Sequence, residues 1–382
     1  MRKLFVITLG MLLAVPAIAD VMPTIYGKVN REIQMKNLDA EQTDSKEIKN
    51  IRSVDVANSE SRIGVKGEYG FNDHTAKYVL EMGLNSGTNT IGIRESYVDM
   101  GGFWGSIIAG QTYVAGDMLG LKLDPLSGTS AGLEAIDITN ALPSTPDDST
   151  TPLVNESYVP IKNDHALGAY GIGYTYRSRK ELVGYKTPVI GGFQFYTTID
   201  NNDDIALAGK KNTFWSNQAS FEKEMNGMNL GVYAVYDIVS GAGMKDASVM
   251  GFGASFGMMG FGLTGMYTMS EATDTDVAAA KPYETTQMMV TGKYTFMDTN
   301  TVAMTYGKMS NEDKNVAGNA AKNNTTQMAF AFIKELHKNV SVRASYGIVE
   351  KEQEDATLNV AAVAAGGGFK ATVAAVGTTI TF

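Results

Sequence analysis

Bulky apolar side chains alternate with small or polar ones along most of the chain. Met328, Phe330 and Phe332 are separated by single alanines, and Met250 and Phe252 by a glycine. A period of two residues is typical of β-strands, whose successive side chains point to opposite faces of a sheet. Few charges interrupt either face, whereas the outer face of a water-soluble β-sandwich would carry more. The pattern therefore predicts a sheet with one bulky apolar face and one small or polar face.

This alternation recurs often enough to predict 16 strands and an all-β fold. The predicted strands are Thr24–Met35, Ser59–Tyr69, Thr75–Leu84, Ile91–Gly101, Gly105–Tyr113, Arg179–Lys186, Phe193–Asp200, Thr213–Met225, Asn229–Val239, Ser248–Met258, Phe261–Ser270, Tyr283–Phe296, Thr301–Met309, Thr325–Leu336, Val340–Val349 and Gly368–Phe382. Together they form one transmembrane antiparallel β-barrel, because apolar residues in every second position suit a wall between lipid and water.

The connections alternate between short and long. Short turns, such as 71–74 and 297–300, join one set of neighbouring strands, whereas the other set is joined by longer polar loops: Lys36–Asn58, Glu271–Pro282, Ser310–Asn324 and Glu350–Gly367. This asymmetry is typical of an outer-membrane barrel with its short turns in the periplasm.

The third long connection, residues 114–176, is the longest. It carries apolar residues such as Leu119, Leu121 and Leu126, which a freely solvated loop does not need. Loops of this length are usually functional. We therefore expect this loop to fold back into the barrel.

Both ends of the chain support export to a membrane. Residues 1–19 comprise a basic start, an apolar core and an Ala-Ile-Ala end, which predicts a signal peptide cleaved before Asp20. The remaining residues 20–382 are predicted to form a single barrel domain. Its last strand ends at Phe382, with Val376, Thr378 and Ile380 on the same face.

Composition narrows the classes further. The chain has 41 glycines, which suit a lumen face of small residues, and 18 tyrosines and 15 phenylalanines, which suit interfacial aromatic girdles. Cysteine is absent from the sequence, so no disulfide holds the fold. Loss of Arg2 and Lys3 with the signal peptide would take the formal net charge from −9 to −11, which argues against a nucleic-acid partner.

Five segments resemble, in the same order, the general diffusion porins of the proteobacterial outer membrane, a 16-stranded trimeric family. They are Ile25–Lys28, Ser61–Glu68, Arg94–Val98 with the following 105–110, Gly184–Pro188 with 191–193, and the C-terminal strand ending in Phe382. The resemblance covers essentially the whole mature chain.

The resemblance implies a pore narrowed by loop 114–176, with acids on that loop facing basic residues on the wall. The loop acids would be Asp117, Asp124 and Glu134, and the basic wall residues would be Lys28, Arg62, Lys66 and Arg94. Ser178 stands where the family has another arginine, and alternation places Lys180 on the inner face as its substitute; Arg177 or Arg179 would serve instead if a bulge shifts the register. Each could instead be an ordinary solvated charge, at the rim or in the loop. Phe382 would be the signal for the barrel-assembly machinery. The chain departs from the family at Gln111, where an arginine is common.

These observations predict an outer-membrane porin, a homotrimer that passes small hydrophilic solutes and ions passively, with a weak preference for cations. Its other partners would be membrane lipid and lipopolysaccharide, and no cofactor or metal is implied. Two alternatives stay open, namely a solute-specific channel and a barrel plugged by its long loop that serves as a structural protein or adhesin. An enzyme is disfavoured, because the three histidines, His74, His165 and His337, lie near no nucleophile motif.

Overall fold

The structure, a computed structural model, describes most of the strand-forming part of the chain. The described residues are 23–41, 47–57, 61–85, 90–124, 126, 179–202, 212–241, 244–274, 283–313, 321–354 and 369–382. The predicted signal peptide, residues 1–19, lies outside them.

Almost all of these residues belong to β-strands. The strands are β1 Thr24–Glu41, β2 Glu47–Ala57, β3 Arg62–Phe71, β4 His74–Asn85, β5 Thr90–Gly102, β6 Gly105–Tyr113, β7 Arg179–Lys186, β8 Phe193–Asn202, β9 Asn212–Met225, β10 Met228–Gly241, β11 Met244–Met258, β12 Phe261–Asp274, β13 Tyr283–Phe296, β14 Asn300–Asp313, β15 Ala321–His337, β16 Val340–Glu354 and β17 Phe369–Thr381. One helix, α1, spans Asp117–Leu123. No helix in the described part of the chain is long and apolar enough to cross a membrane.

The strands form a closed antiparallel barrel with 16 positions around its wall. From β3 to β17 each strand pairs with the next, and β17 pairs with β1. Strands β2 and β3 share one position, because β2 pairs with β1 from Glu32 to Glu41 and β3 pairs with β1 from Thr24 to Lys28. The predicted 16-stranded barrel is confirmed.

The prediction of a loop over Lys36–Asn58 is wrong for most of its length. There β1 continues to Glu41 and β2 returns beside it, with Met35 opposite Val54. Strands β12, β14 and β16 likewise continue into the segments predicted as long loops. These extensions are rich in polar residues, such as Lys36 and Asn37 of β1 and Asn311 and Glu312 of β14, so the apolar alternation that reveals a strand in lipid is weak there.

The outer face of the barrel is apolar and exposed. Phe252, Phe256, Phe330 and Met304 are large exposed side chains that alternate with buried or small neighbours. Aromatic rings pair near the short turns, for example Phe193 with Phe221, whose centroids are 4.6 Å apart; other pairs are Trp104 with Tyr185 and Tyr294 with Phe296. This arrangement suits a wall that meets lipid, with an aromatic girdle at one interface.

The short turns lie on one side of the barrel, as predicted. Asn72, Asn226 and Met297 adopt positive φ angles in these turns, which lets the chain reverse within a few residues. The end of β17 reaches the same side, because the Thr381 amide donates to the carbonyl of Asn339 in the turn between β15 and β16.

The barrel closes where strands β1 and β17 meet. The Gly27 amide donates to the Phe382 carbonyl at 3.0 Å, and the Phe382 amide donates to the Gly27 carbonyl at 3.1 Å. The Phe382 ring covers Gly27 so closely that a Cβ there would lie 2.4 Å from the ring and 2.9 Å from the Arg62 carbonyl oxygen. Only glycine fits beneath this ring without displacing it.

We predict that Gly27→Val weakens closure of the barrel. The added side chain overpacks the seam, at a cost of about 1–3 kcal/mol, so the folded barrel should lose its compact electrophoretic form at a lower temperature. The matched control is Gly292→Val, because a Cβ at Gly292 meets nothing within 4 Å. Equal melting of the two variants, measured by unheated gel mobility and circular dichroism, would contradict this account of the seam.

Candidate functional site

The chain leaves β6 and turns onto the inner face of the barrel, the face opposite the exposed apolar side chains. The Ala115 amide donates to the Thr198 hydroxyl at 3.1 Å, and the Gly116 amide donates to the Ser216 hydroxyl at 2.6 Å. Ser216 in turn donates to a carboxylate oxygen of Asp237, also at 2.6 Å. These buried polar groups of β8, β9 and β10 therefore fix the start of the third long connection to the wall.

Helix α1 then packs against glycines of the wall. Leu119 and Leu123 are buried in one cluster with Tyr233, Val235, Met266, Met289 and Met309. A Cβ at Gly253 would lie 2.1 Å from a methyl group of Leu123, so the helix fits only because β11 presents glycine there. The Thr264 hydroxyl donates to the Leu123 carbonyl at 2.6 Å, and Lys122 forms an ion pair with Glu222 at 3.0 Å.

Beyond the helix the chain continues along the inner face to strands β14 and β15. Leu126 packs with Ala303, Ala329 and Ala331 on β14 and β15. Residues 114–124 and 126 thus follow the inner face from β8 to β15. The rest of the predicted loop, residues 127–176, lies outside the described residues, and constriction of a pore by this loop stays a prediction.

Two of the three predicted loop acids are buried where this segment packs against the wall. Asp117 is 1% exposed and Asp124 is 3% exposed. Asp117 stands in the first turn of α1, where a negative charge is favourable. An Asp124 carboxylate oxygen accepts a hydrogen bond from the Leu126 amide at 3.0 Å. Glu134 lies outside the described residues.

Two of the predicted basic residues converge on one carboxylate. Arg62 Nε lies 3.2 Å from Glu81 Oε2, and Arg94 Nε lies 2.7 Å from Glu81 Oε1. The Tyr26 hydroxyl also donates to Glu81 Oε2, at 3.1 Å. Glu81 is therefore held between β1, β3 and β5, and the two arginines share its charge.

A β-bulge in β5 brings Arg94 into this group. Glu81 is opposite Glu95 and Met82 is opposite Ile93, so Arg94 is an additional residue that the register passes over. A Cβ at Gly83 would lie 2.7 Å from Arg94 Cδ, so glycine leaves room for the arginine. A bulge of this kind re-aims a side chain without changing the strand order.

The remaining predicted basic residues lie on the same inner face. Lys28 is opposite Arg62, and Lys66 Nζ lies 5.1 Å from the centroid of the Tyr26 ring. Lys180 is opposite Thr112 on β6, on the face opposite the exposed Val183. The structure brings Arg62 and Arg94 together, and it places Lys180 on a separate part of the wall.

The site residues predicted from the sequence did not include Arg343, nor the two carboxylates that pair with arginines, Glu32 and Glu81. Arg343 forms an ion pair with Glu32, donates to the Asn30 side chain, and donates to the Thr379 hydroxyl at 2.9 Å. The flanking Val342 and Ala344 could have placed Arg343 on the inner face. No local signal could have shown which carboxylate it would meet, because Glu32 is contributed by a strand at the other end of the chain.

Neither a metal centre nor a catalytic cluster emerges from this part of the molecule. Across the described ranges, no group of three or more histidine, cysteine or acidic side chains is placed to hold a metal ion. His74 begins β4 and His337 ends β15, both at short turns, and His165 lies outside the described residues.

Comparison with known proteins identifies the type of barrel. A family model described as Gram-negative porin matches residues 6–375. No curated protein sequence gives a significant match. The fold is similar to an anion-selective porin from Comamonas acidovorans, at 14% identity and a TM-score of 0.65, with 95% of this chain and 100% of that chain covered.

Two further solved structures agree. One is OmpT of Vibrio cholerae, an outer membrane protein in a trimer form, at 12% identity and a TM-score of 0.60, with 95% of this chain and 99% of that chain covered. The other is the outer membrane channel DcaP of Acinetobacter baumannii, at 13% identity and a TM-score of 0.62, with 96% and 99% covered. At these identities the likeness establishes the fold.

We predict that Leu119→Ala combined with Leu123→Ala releases α1 from the wall. Each truncation of a buried leucine removes about 2–5 kcal/mol of packing, while the strand pairs of the barrel are untouched. Hydrogen exchange across residues 117–123 and trypsin cleavage after Lys122 should both become faster, with the folded barrel retained. Leu230→Ala, on the exposed outer face, is the control. Unchanged exchange and cleavage in the double variant would show that these leucines do not hold the helix.

Proposed function

Because the chain belongs to the family of Gram-negative porins, which are outer-membrane channels, we propose that it passes small hydrophilic solutes and ions by passive diffusion. One observation supports this most directly. The closed barrel has an apolar exposed outer face and a polar inner face that carries arginines, lysines and carboxylates. A polar lumen of this kind holds water and lets solutes cross without a carrier step.

In this proposal the loop 114–176 narrows the pore. What supports it is the attachment of residues 114–124 and 126 to the inner face by hydrogen bonds and buried leucines. Asp117, Asp124 and Glu134 supply negative charge to the loop. Asp117 and Asp124 are buried, so they act on passing ions through their field rather than by contact, and buried charges are weakly screened by salt.

A weak preference for cations is part of the proposal. The mature chain, without Arg2 and Lys3, would carry a formal charge of −11 instead of −9. On the wall, Arg62 and Arg94 pair with Glu81, and Arg343 pairs with Glu32. Pairing reduces the positive field that would otherwise attract anions.

The assembly proposed is a homotrimer in the outer membrane, surrounded by lipid and lipopolysaccharide. The trimer form of the similar Vibrio cholerae protein supports this number of subunits. Export through a signal peptide cleaved before Asp20, and delivery to the barrel-assembly machinery through the strand that ends in Phe382, complete the proposal.

We predict that liposomes containing the purified protein swell in iso-osmotic sugars at rates that fall steeply with sugar size, because a narrowed watery pore discriminates by radius. The measurement is the initial rate of change in light scattering for a series from monosaccharides to larger oligosaccharides, with protein-free liposomes as the control.

Two outcomes would contradict the proposal. No swelling from a folded barrel would favour a lumen sealed by the long loop, and thus a structural or adhesin role. Widely different rates for sugars of equal size would favour a solute-specific channel.

A further inference from the structure

Glu81 has an unusual position for a carboxylate on a wall where basic residues were expected. It is 4% exposed, and its two oxygens contact different arginines. We propose that Glu81 determines the ion selectivity of the pore by offsetting part of the positive charge of Arg62 and Arg94. The inference rests on the proposed channel function and names a residue that controls it.

The exposure of the three side chains supports this role. Arg62 and Arg94 keep 30% and 16% of their side-chain surface exposed, whereas Glu81 keeps 5%. Arg62 is therefore the most accessible member of the cluster, and the Glu81 carboxylate lies behind it. One guanidinium nitrogen of Arg94, Nη2, is itself buried. Glu95, opposite Glu81 in the strand register, adds a second negative charge to the same cluster. Lys28 lies opposite Arg62 and adds a third positive charge, so the loss of Glu81 would leave the cluster more positive.

Removing one carboxylate would change the field that passing ions meet. Two unit charges 4 Å apart interact by about 1 kcal/mol even in bulk water, and screening at physiological salt acts over about 8 Å. An uncompensated guanidinium at the wall of a narrow lumen therefore changes the local ratio of cations to anions severalfold.

The other ion pairs of the inner wall are less suited to this role. Arg343 and Glu32 have side chains that are 6% and 0% exposed, so ions approach neither partner. Glu68 and Lys77 lie 3.2 Å apart with both side chains about half exposed, close to the short turn between β3 and β4. Solvent screens a pair of this kind strongly. The Glu68 pair therefore provides a matched control for a change of charge on the same wall.

The test is the reversal potential of the purified channel in a planar bilayer under a potassium chloride gradient. We expect Glu81→Gln to lower the cation-to-anion permeability ratio by about two- to fivefold, from the Coulomb interaction of one unpaired charge. Glu81→Asp should keep the wild-type ratio, and Glu68→Gln should change it by less than half as much as Glu81→Gln. A ratio unchanged in Glu81→Gln, or an equal change in Glu68→Gln, would overturn the inference.

A second pair of variants decides the question if Glu81→Gln does not fold. Loss of Glu81 leaves two arginines without their shared partner, which can destabilise a barrel. In Arg62→Gln only one arginine remains, so adding Glu81→Gln restores the charge balance of the wild type. The double variant should have a ratio about two- to fivefold below that of Arg62→Gln alone, and equal ratios would overturn the inference. Failure of the proposed channel function is recognised separately, because the wild-type protein would then carry no current.

Discussion

Every peptide group in the membrane must find its hydrogen-bond partner within the protein, because lipid offers none. A sheet meets this requirement only when its edges join, so the whole structure depends on the pairing of β1 with β17. That pairing runs from Ala40 opposite Phe369 to Lys28 opposite Thr381. Next to Lys28, two hydrogen bonds between Gly27 and Phe382 complete it. Phe382 therefore completes the wall, and Gly27 beneath its ring allows the approach.

Closure also decides what each face can carry. Since the outer face meets lipid, most charged side chains of the spanning part lie on the inner face, where several form pairs across neighbouring strands. Arg31, between the exposed Val29 and Ile33, is an exception. The same inner face holds the segment after β6, because wall positions at Gly251 and Gly253 leave space for Leu119 and Leu123. Small residues on the inner face thus make room for a packed segment, and polar residues there fix its start through Thr198 and Ser216.

The features that could be predicted from the sequence are those that follow from the alternation of apolar and polar residues along each strand. The number of strands, the apolar outer face and the side of the short turns all depend on local alternation, and each is confirmed. The extension of β1 and the return of β2 were missed, since the sequence there is rich in polar residues. The ion pair of Glu81 with Arg94 could not be foreseen either, because a bulge shifts the register of β5 and parity along one strand does not reveal a partner on the next. The roles of the loop acids, of the basic wall residues and of the third loop stay predictions.

The balance of charge on the inner wall links this architecture to transport. Arginines from β3, β5 and β16 are held by carboxylates of β4 and β1, so the wall is a network of pairs rather than a row of free positive charges. Transport requires that this wall surrounds an open, water-filled path, and single-channel recording of the purified wild-type protein in a planar bilayer shows whether it does. We expect ohmic current that appears and closes in groups of three equal steps. A folded protein that inserts without carrying current would disprove an open path.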